Sequence, residues 1–83
     1  MVTHHKYICY PVGDENDKEE VWAYDPHQAA LDYMQAWDDE DLVYVIDEFA
    51  GRLRIIVIDE EGGTSKQEVE IERSFEFIVR EVK

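Results

Sequence analysis

The chain has 83 residues, an apolar fraction of 45% and a formal net charge of −13 at pH 7. This length and apolar content predict a single domain, residues 1–83, with its own hydrophobic core, and they exclude a disordered chain. The single cysteine, Cys9, excludes an internal disulfide and favours a reducing compartment. The sequence shows no signal peptide and no membrane span, so we expect a cytoplasmic protein in which residues 1–5 are frayed.

The charge balance narrows the possible partners. Asp and Glu number 21, whereas Lys and Arg number 8. Direct binding to nucleic acid or to an anionic membrane requires basic surfaces, so we expect this chain to bind neither. The excess of acids favours a basic protein partner, bound cations or a high-salt environment. Composition leaves these three open.

The first part of the chain predicts a β-hairpin. Residues 6–12 and the short run 21–24 are rich in strand-forming side chains, and the acidic loop 13–20 separates them. The loop sequence DENDK resembles the start of a calcium-binding loop. However, the EF-hand pattern requires an oxygen ligand where Lys18 stands and glycine where Glu19 stands, so we predict no calcium site.

The clearest helix signal begins at Asp25. Asp25 is a suitable N-cap, Pro26 suits the first helical position, and Gln28 stands where a capping box places Glu or Gln. An amphipathic helix over residues 25–41 is therefore predicted, packed on one face of a sheet. The side chains predicted on its apolar face are Ala29, Ala30, Tyr33, Met34, Ala36 and Trp37.

Four consecutive acids end this predicted helix: Asp38, Asp39, Glu40 and Asp41. The C-terminus of a helix carries partial negative charge, so acids there cost a few tenths of a kcal/mol each, roughly. An unfavourable position favours another role for these acids, either contact with a partner or coordination of a cation.

The remainder of the chain predicts four strands. They are residues 42–48, 52–59, 67–73 and 75–82, of which the first two are expected to form an antiparallel hairpin. The fold class predicted is α+β. It has a mainly antiparallel sheet of about five to six strands in the order β-β-α-β-β-β-β, with one amphipathic helix on one face.

A row of glutamates marks the strand 67–73. Glu68, Glu70 and Glu72 alternate with apolar residues, so they project from one face about 6.6 to 6.8 Å apart. This spacing is comparable with that of successive backbone phosphates. The alternative interpretation is protection of an edge strand, because charged side chains prevent strand-to-strand aggregation.

The sequence shows no catalytic signature, and we expect neither an enzyme nor a cofactor. Cys9 lies in the middle of a predicted strand, where a small buried side chain is the expected role. His27 lies in the first helical turn without an evident substrate cleft. One cysteine and three histidines supply too few nitrogen and sulfur ligands for a zinc site, so no metal is predicted.

In its small size and acidity the chain resembles phage-encoded inhibitors of nucleic-acid enzymes, including DNA mimics and anti-CRISPR proteins. The resemblance rests on size and charge alone. The lead hypothesis is an inhibitor or regulator that occupies the nucleic-acid-binding surface of a basic protein. The residues expected to contact this partner are Asp38, Asp39, Glu40, Asp41, Asp59, Glu60, Glu61, Glu68, Glu70 and Glu72. The alternative is a structural or accessory domain whose acidity serves solubility or halophilic adaptation. The oligomeric state is left open.

Overall fold

A computed structural model describes residues 4–82, which form five strands and two helices in the order β-β-α-α-β-β-β. The elements are β1 (His5–Pro11), β2 (Glu19–Ala23), α1 (Pro26–Gln35), α2 (Asp39–Glu48), β3 (Arg52–Ile58), β4 (Thr64–Ile71) and β5 (Phe77–Val82). The predicted fraying of residues 1–5 lies partly outside the described residues, and His5 already belongs to β1.

The five strands form one antiparallel sheet in the order β2-β1-β3-β4-β5. This confirms the predicted α+β class and the antiparallel sheet. The β1–β2 hairpin is also confirmed, with Tyr7 opposite Val21 and Cys9 opposite Glu19.

Strand alternation gives the sheet two different faces. The odd-numbered strand residues face the helices and form the core with them, including Cys9, Ile55, Val57 and Val69. The even-numbered residues of all five strands form the other face, here called the open face, and none of them is buried. The helices therefore cover only one side of the sheet.

Helix α1 begins as the sequence predicts. Oδ1 of Asp25 accepts a hydrogen bond of 2.7 Å from the backbone N–H of Gln28, and Pro26 occupies the first turn. The side chain of Gln28 donates instead to Oδ1 of Asp32 at 2.8 Å, so it does not complete a capping box. Four buried side chains then anchor the helix to the sheet: Ala29, Ala30, Tyr33 and Met34.

The prediction of one helix extending to Asp41 is wrong. Helix α1 ends at Gln35, and the four acids begin the second helix, with Asp38 as its N-cap and Asp39, Glu40 and Asp41 in its first turn. The N-terminus of a helix carries partial positive charge, so carboxylates there are stabilising. The apparent conflict between these acids and helix electrostatics disappears.

The predicted strand 42–48 is also wrong, because these residues belong to α2. Leu42 and Val45 are buried and Ile46 packs partly against the core, which is helical spacing. The predicted hairpin between this segment and β3 is therefore absent from the described residues. Among the described residues the sheet has five strands, which lies within the predicted range of five to six.

A tight turn joins α2 to β3. Ala50 and Gly51 both have positive φ, and the N–H of Gly51 donates to the carbonyl of Val45 at 3.0 Å. The carbonyl of Gly51 accepts from the N–H of Ile71 at 2.6 Å, which ties the turn to the end of β4. A Cβ at position 51 would lie 2.5 Å from the carbonyl oxygen of Ile71, so only glycine fits.

The position of the acids in α2 predicts opposite effects for two charge reversals. Glu40→Lys places a cation at the positive end of the helix, whereas Glu48→Lys places one at the negative end. Both variants change the net charge equally, so we expect Glu40→Lys to be less stable than Glu48→Lys by about 1 kcal/mol. Urea unfolding at low ionic strength measures this difference. Equal or reversed stabilities would contradict a helix that begins at Asp38.

The turn after α2 predicts a strongly destabilising alanine. Gly51→Ala forces Cβ against the Ile71 backbone at a φ of +76°, so we expect a loss of about 3 kcal/mol in the free energy of unfolding. Gly62→Ala is the matched control, because Gly62 has a φ of +86° but no heavy atom within 4 Å of the added Cβ. The control should lose only about 1 kcal/mol. Equal losses in urea unfolding would show that the close approach to Ile71 is not the cause.

Candidate binding cleft

The predicted contact residues lie in three separate places. Pro11 is opposite Ile55 and Ile8 is opposite Ile58, so the loop 12–18 and the turn 59–63 lie at opposite ends of the sheet. The acids of residues 38–41 are near the loop 12–18, whereas Glu68 and Glu70 lie on the open face. The acids therefore do not form one continuous surface.

The glutamate row is partly neutralised. The carboxylate of Glu70 lies 3.7 Å from the guanidinium of Arg80 and 4.0 Å from Nε of Arg52. Glu68 stands in register between Arg54 and Arg80, and Glu72 lies beyond the end of β4. Because β4 is an inner strand, the edge-protection interpretation is wrong. With cations interleaved, the row is a poor imitation of a phosphate backbone.

The turn at residues 59–63 uses its acids internally. Oδ1 of Asp59 accepts from the N–H of Glu61 at 2.9 Å and from that of Gly63 at 2.7 Å. Oε1 of Glu60 accepts from the backbone N–H of Lys6 at 2.9 Å. These bonds close the β3–β4 turn and attach it to β1, which gives two of its three carboxylates a structural role.

A cleft of about 720 Å³ lies between the β1–β2 loop and the two helices. Asp38 and Asp41 line it, so two of the ten predicted contact residues belong to this site. Further carboxylates come from the hairpin and from α1. Those residues are Asp14, Asp17, Glu19, Glu20 and Asp32.

Aromatic rings form part of the wall. Tyr33 and Trp37 stand edge to face with centroids 5.9 Å apart, and Tyr44 and Phe49 do so at 5.8 Å. Tyr44 is 58% exposed and Phe49 is 47% exposed, although both are large apolar side chains. Exposed aromatic side chains beside a concave site are typical of a binding surface.

A hydrogen bond from Tyr33 holds the hairpin loop against α1. The hydroxyl of Tyr33 donates to the backbone carbonyl of Asp17 at 2.9 Å, and a carboxylate oxygen of Asp17 lies 3.4 Å away. Burial and the negative charge of Asp17 raise the pKa of Tyr33 above its ordinary value. The phenol therefore stays protonated at neutral pH and keeps the floor of the cleft in place.

Charge is distributed unevenly between the two sides of the protein. Among the described residues, the cleft lining contains no lysine or arginine. Five of the seven lysines and arginines between residues 4 and 82 stand at even-numbered strand positions, on the open face. They are Lys6, Arg52, Arg54, Lys66 and Arg80. Carboxylates beside aromatic faces in a concave site attract cations and repel anions.

The groups considered for catalysis stand apart from the cleft. Cys9 is fully buried in β1, and His27 is exposed in the first turn of α1. Within residues 4–82, no three side chains of His, Cys, Asp or Glu are placed to hold a metal ion together. The same residues include no helix of the length and apolar character needed to cross a membrane.

The aromatic wall was not predicted from the sequence. Trp37 was assigned to the core side of a longer helix, and Tyr44 was assigned to a strand. The helical spacing of Leu42, Val45 and Ile46 is the signal that would have placed Tyr44 on the exposed side of a second helix.

No protein-family model, curated protein or solved structure matches the chain. The function is therefore inferred from the cleft and the charge distribution.

Burial of Cys9 predicts a loss of stability in alkali. Burial raises the pKa of its thiol from 9.0 to about 12, so the unfolded chain releases this proton at lower pH than the folded chain does. The contribution of the thiol to the free energy of unfolding is complete below about pH 9. It declines as pH rises towards about 12, with a slope of about 1.4 kcal/mol per pH unit. The pKa values of Tyr7 and Tyr33 are also raised above the ordinary tyrosine pKa of 10.0. Both residues therefore add to the loss of stability as the pH approaches and passes that value.

The Cys9→Ala variant isolates the contribution of the thiol. Its free energy of unfolding should decline less steeply than that of the unmodified chain between about pH 9 and about pH 10, because Tyr7 and Tyr33 still contribute to the decline and the thiol no longer does. Urea unfolding of both proteins across this interval measures the slopes. Equal slopes for the variant and the unmodified chain would show that Cys9 is not the responsible group.

Proposed function

We propose that this chain is a non-enzymatic binding module that takes a basic segment of a partner protein into the acidic cleft. The observation that carries the proposal is the uneven charge: among the described residues, seven acidic residues and no lysine or arginine line the cleft, and one of the seven, Glu20, stands at a strand position of the open face. Its volume of about 720 Å³ suits several side chains of a partner.

Guanidinium is the chemical group that this lining suits best. An arginine side chain stacks its planar group on an aromatic ring and donates hydrogen bonds to carboxylates at the same time. Tyr44 and Trp37 supply rings, and Asp38 and Asp41 supply carboxylates on the same cleft. A lysine ammonium makes a point contact with carboxylates but lacks the planar fork, so arginine-rich segments should bind more tightly.

The proposal extends to inhibition of a nucleic-acid-binding protein. Such proteins bind phosphates through Lys and Arg, and an acidic surface that holds the same side chains excludes nucleic acid from them. A DNA mimic or an anti-CRISPR-like anti-defence protein of a phage would act in this way. The acids that serve this role are those of the cleft and its rim, since Arg52 and Arg80 neutralise Glu70.

Binding is tested with octa-arginine as the probe and with Trp37 as the reporter. Trp22 is outside the cleft, so the Trp22→Phe protein retains one tryptophan, Trp37, which lines the cleft. We expect octa-arginine to change Trp37 fluorescence at low salt, octa-lysine to bind more weakly, and both affinities to fall as salt rises.

Two double variants separate the cleft from bulk charge. Asp38→Asn with Asp41→Asn removes two carboxylates from the cleft at nearly constant side-chain size, and the side chain of Asp38 makes no capping hydrogen bond that the change would remove. Glu60→Gln with Glu61→Gln removes the same charge at the opposite end of the sheet. The cleft variant should bind octa-arginine about tenfold more weakly, equivalent to about 1.4 kcal/mol, and the control should bind nearly as the unmodified chain does. Equal weakening in both, or no response of Trp37, would contradict the cleft as the site.

Inhibition requires a competition experiment. A basic protein captured from a host lysate at low salt by the unmodified chain should be released by double-stranded DNA. The Asp38→Asn, Asp41→Asn variant should capture less of it. Capture that persists in excess DNA would show that the chain does not occupy the nucleic-acid site of that partner.

One observation favours the alternative, a structural or accessory domain whose acidity serves solubility or high-salt life. The acids of the turn 59–63 lie far along the sheet from the cleft, so acidity is not confined to one site. This alternative predicts marked stabilisation by molar salt, unfolding at low salt, and no preference of octa-arginine for the cleft.

A further inference from the structure

The open face combines apolar side chains with paired charges. Ile8 is opposite Ile58, and Tyr10 is opposite Ile56, which places four apolar side chains side by side on β1 and β3. Trp22 stands on β2 opposite Lys6, diagonally across from Ile8, and is 57% exposed. No residue of the helices covers these side chains, because α1 and α2 pack on the odd-numbered positions. An apolar area of this kind on one side of a sheet is typical of an interaction surface.

The charged half of the open face is self-complementary. Across β3, β4 and β5, Arg54, Glu68 and Arg80 stand in register, and the neighbouring row places Arg52 opposite Glu70. Cations and carboxylates thus alternate across three strands. A two-fold axis that runs parallel to the strands, midway between β3 and β4, places Arg54 of one copy against Glu68 of the other and Arg52 against Glu70, which is the complementarity that a symmetric interface requires.

We propose that the open face binds a second copy of this chain, with sheet packed on sheet and the helices on the outside. Two chains of charge −13 repel each other in most orientations, because most of their surface is acidic. The open face is the exception, since five cations there outnumber the carboxylates of Glu20, Glu68 and Glu70. Among contacts that bring the same surface of two copies together, the open face therefore gives the least repulsion, and it also offers apolar area to bury.

The geometry fits a reversible dimer. Five strands spaced about 4.8 Å apart and about six residues long give a face of roughly 20 by 20 Å. This area is small among specific protein interfaces, so a concentration-dependent equilibrium is expected rather than an obligate dimer. In this dimer the clefts remain on the outer sides, next to the helices, and two basic segments can bind at once.

Charge-swapped variants test the symmetric arrangement. Glu68→Lys with Glu70→Lys makes the charged half cationic, and Arg52→Glu, Arg54→Glu with Arg80→Glu makes it anionic. We expect the unmodified chain to change from 9.8 kDa to twice that mass with rising concentration in sedimentation equilibrium. Each variant alone should dimerise at least tenfold more weakly, because like charges then meet across the two-fold axis. An equimolar mixture of the two should recover the dimer, and this recovery also shows that both variants are folded.

Other arrangements give different results. If the open face of one copy bound the acidic side of the next, the Glu68→Lys, Glu70→Lys variant alone would associate more strongly and form open-ended assemblies. The proposal would be overturned if the equimolar mixture of the two variants failed to dimerise while each variant showed a native circular dichroism spectrum. An unmodified chain that stays at 9.8 kDa up to millimolar concentration would overturn it as well.

Salt provides an independent check on the same protein. Dimerisation of two acidic chains should strengthen from low to moderate salt, because screening reduces their mutual repulsion. Binding of octa-arginine to the cleft should weaken over the same range. A dimer that dissociates as salt rises from low ionic strength would contradict a symmetric interface between two acidic chains.

Discussion

The alternation of side chains along the five strands is the constraint on which the rest of this protein depends. Odd-numbered positions carry the apolar side chains that hold α1 and α2 against the sheet, such as Cys9, Ile55 and Val69. Even-numbered positions carry most of the cations of a very acidic chain. Most of the acids lie in the loops, the turns and the helices. One local rule of strand geometry thereby gives the molecule an acidic side with a cleft and an opposite side with mixed charge.

Much of the fold was predictable because local signals agreed with the tertiary structure. The N-cap at Asp25, the β1–β2 hairpin and the strands β3, β4 and β5 all follow from capping or alternation. The helical structure of the segment 42–48 was not predicted. Val43, Val45 and Ile46 have strong strand propensity, and a short apolar run fits a strand as well as a buried helix. The acids before it were the deciding signal. They suit the start of a helix, and assigning them to the end of one created a conflict that the molecule does not have.

The candidate site was predictable only in part. Asp38 and Asp41 were expected to contact a partner, and they do line the cleft, but the reason given for them was incorrect. Glu70 was expected to contact a partner, whereas it is paired with arginines. Residues far apart in sequence become neighbours only when strands pair in register, so the sequence pattern does not show this pairing. The aromatic wall depends on how α2 packs beside α1, and its concave shape is not visible in the sequence pattern. Net charge predicts a basic partner, but the location of the cleft depends on tertiary structure.

The two sides of the protein suit different tasks. The cleft gathers carboxylates beside Trp37 and Tyr44, whereas the open face pairs its charges and exposes Trp22. The most direct measurement of this division is the change in backbone amide chemical shifts when the ¹⁵N-labelled chain is titrated with octa-arginine. Shifts should concentrate in the loop 12–18 and in residues 36–49, while the turn 59–63 and β5 stay nearly unchanged. Shifts spread equally over all the acidic segments would contradict a defined cationic site.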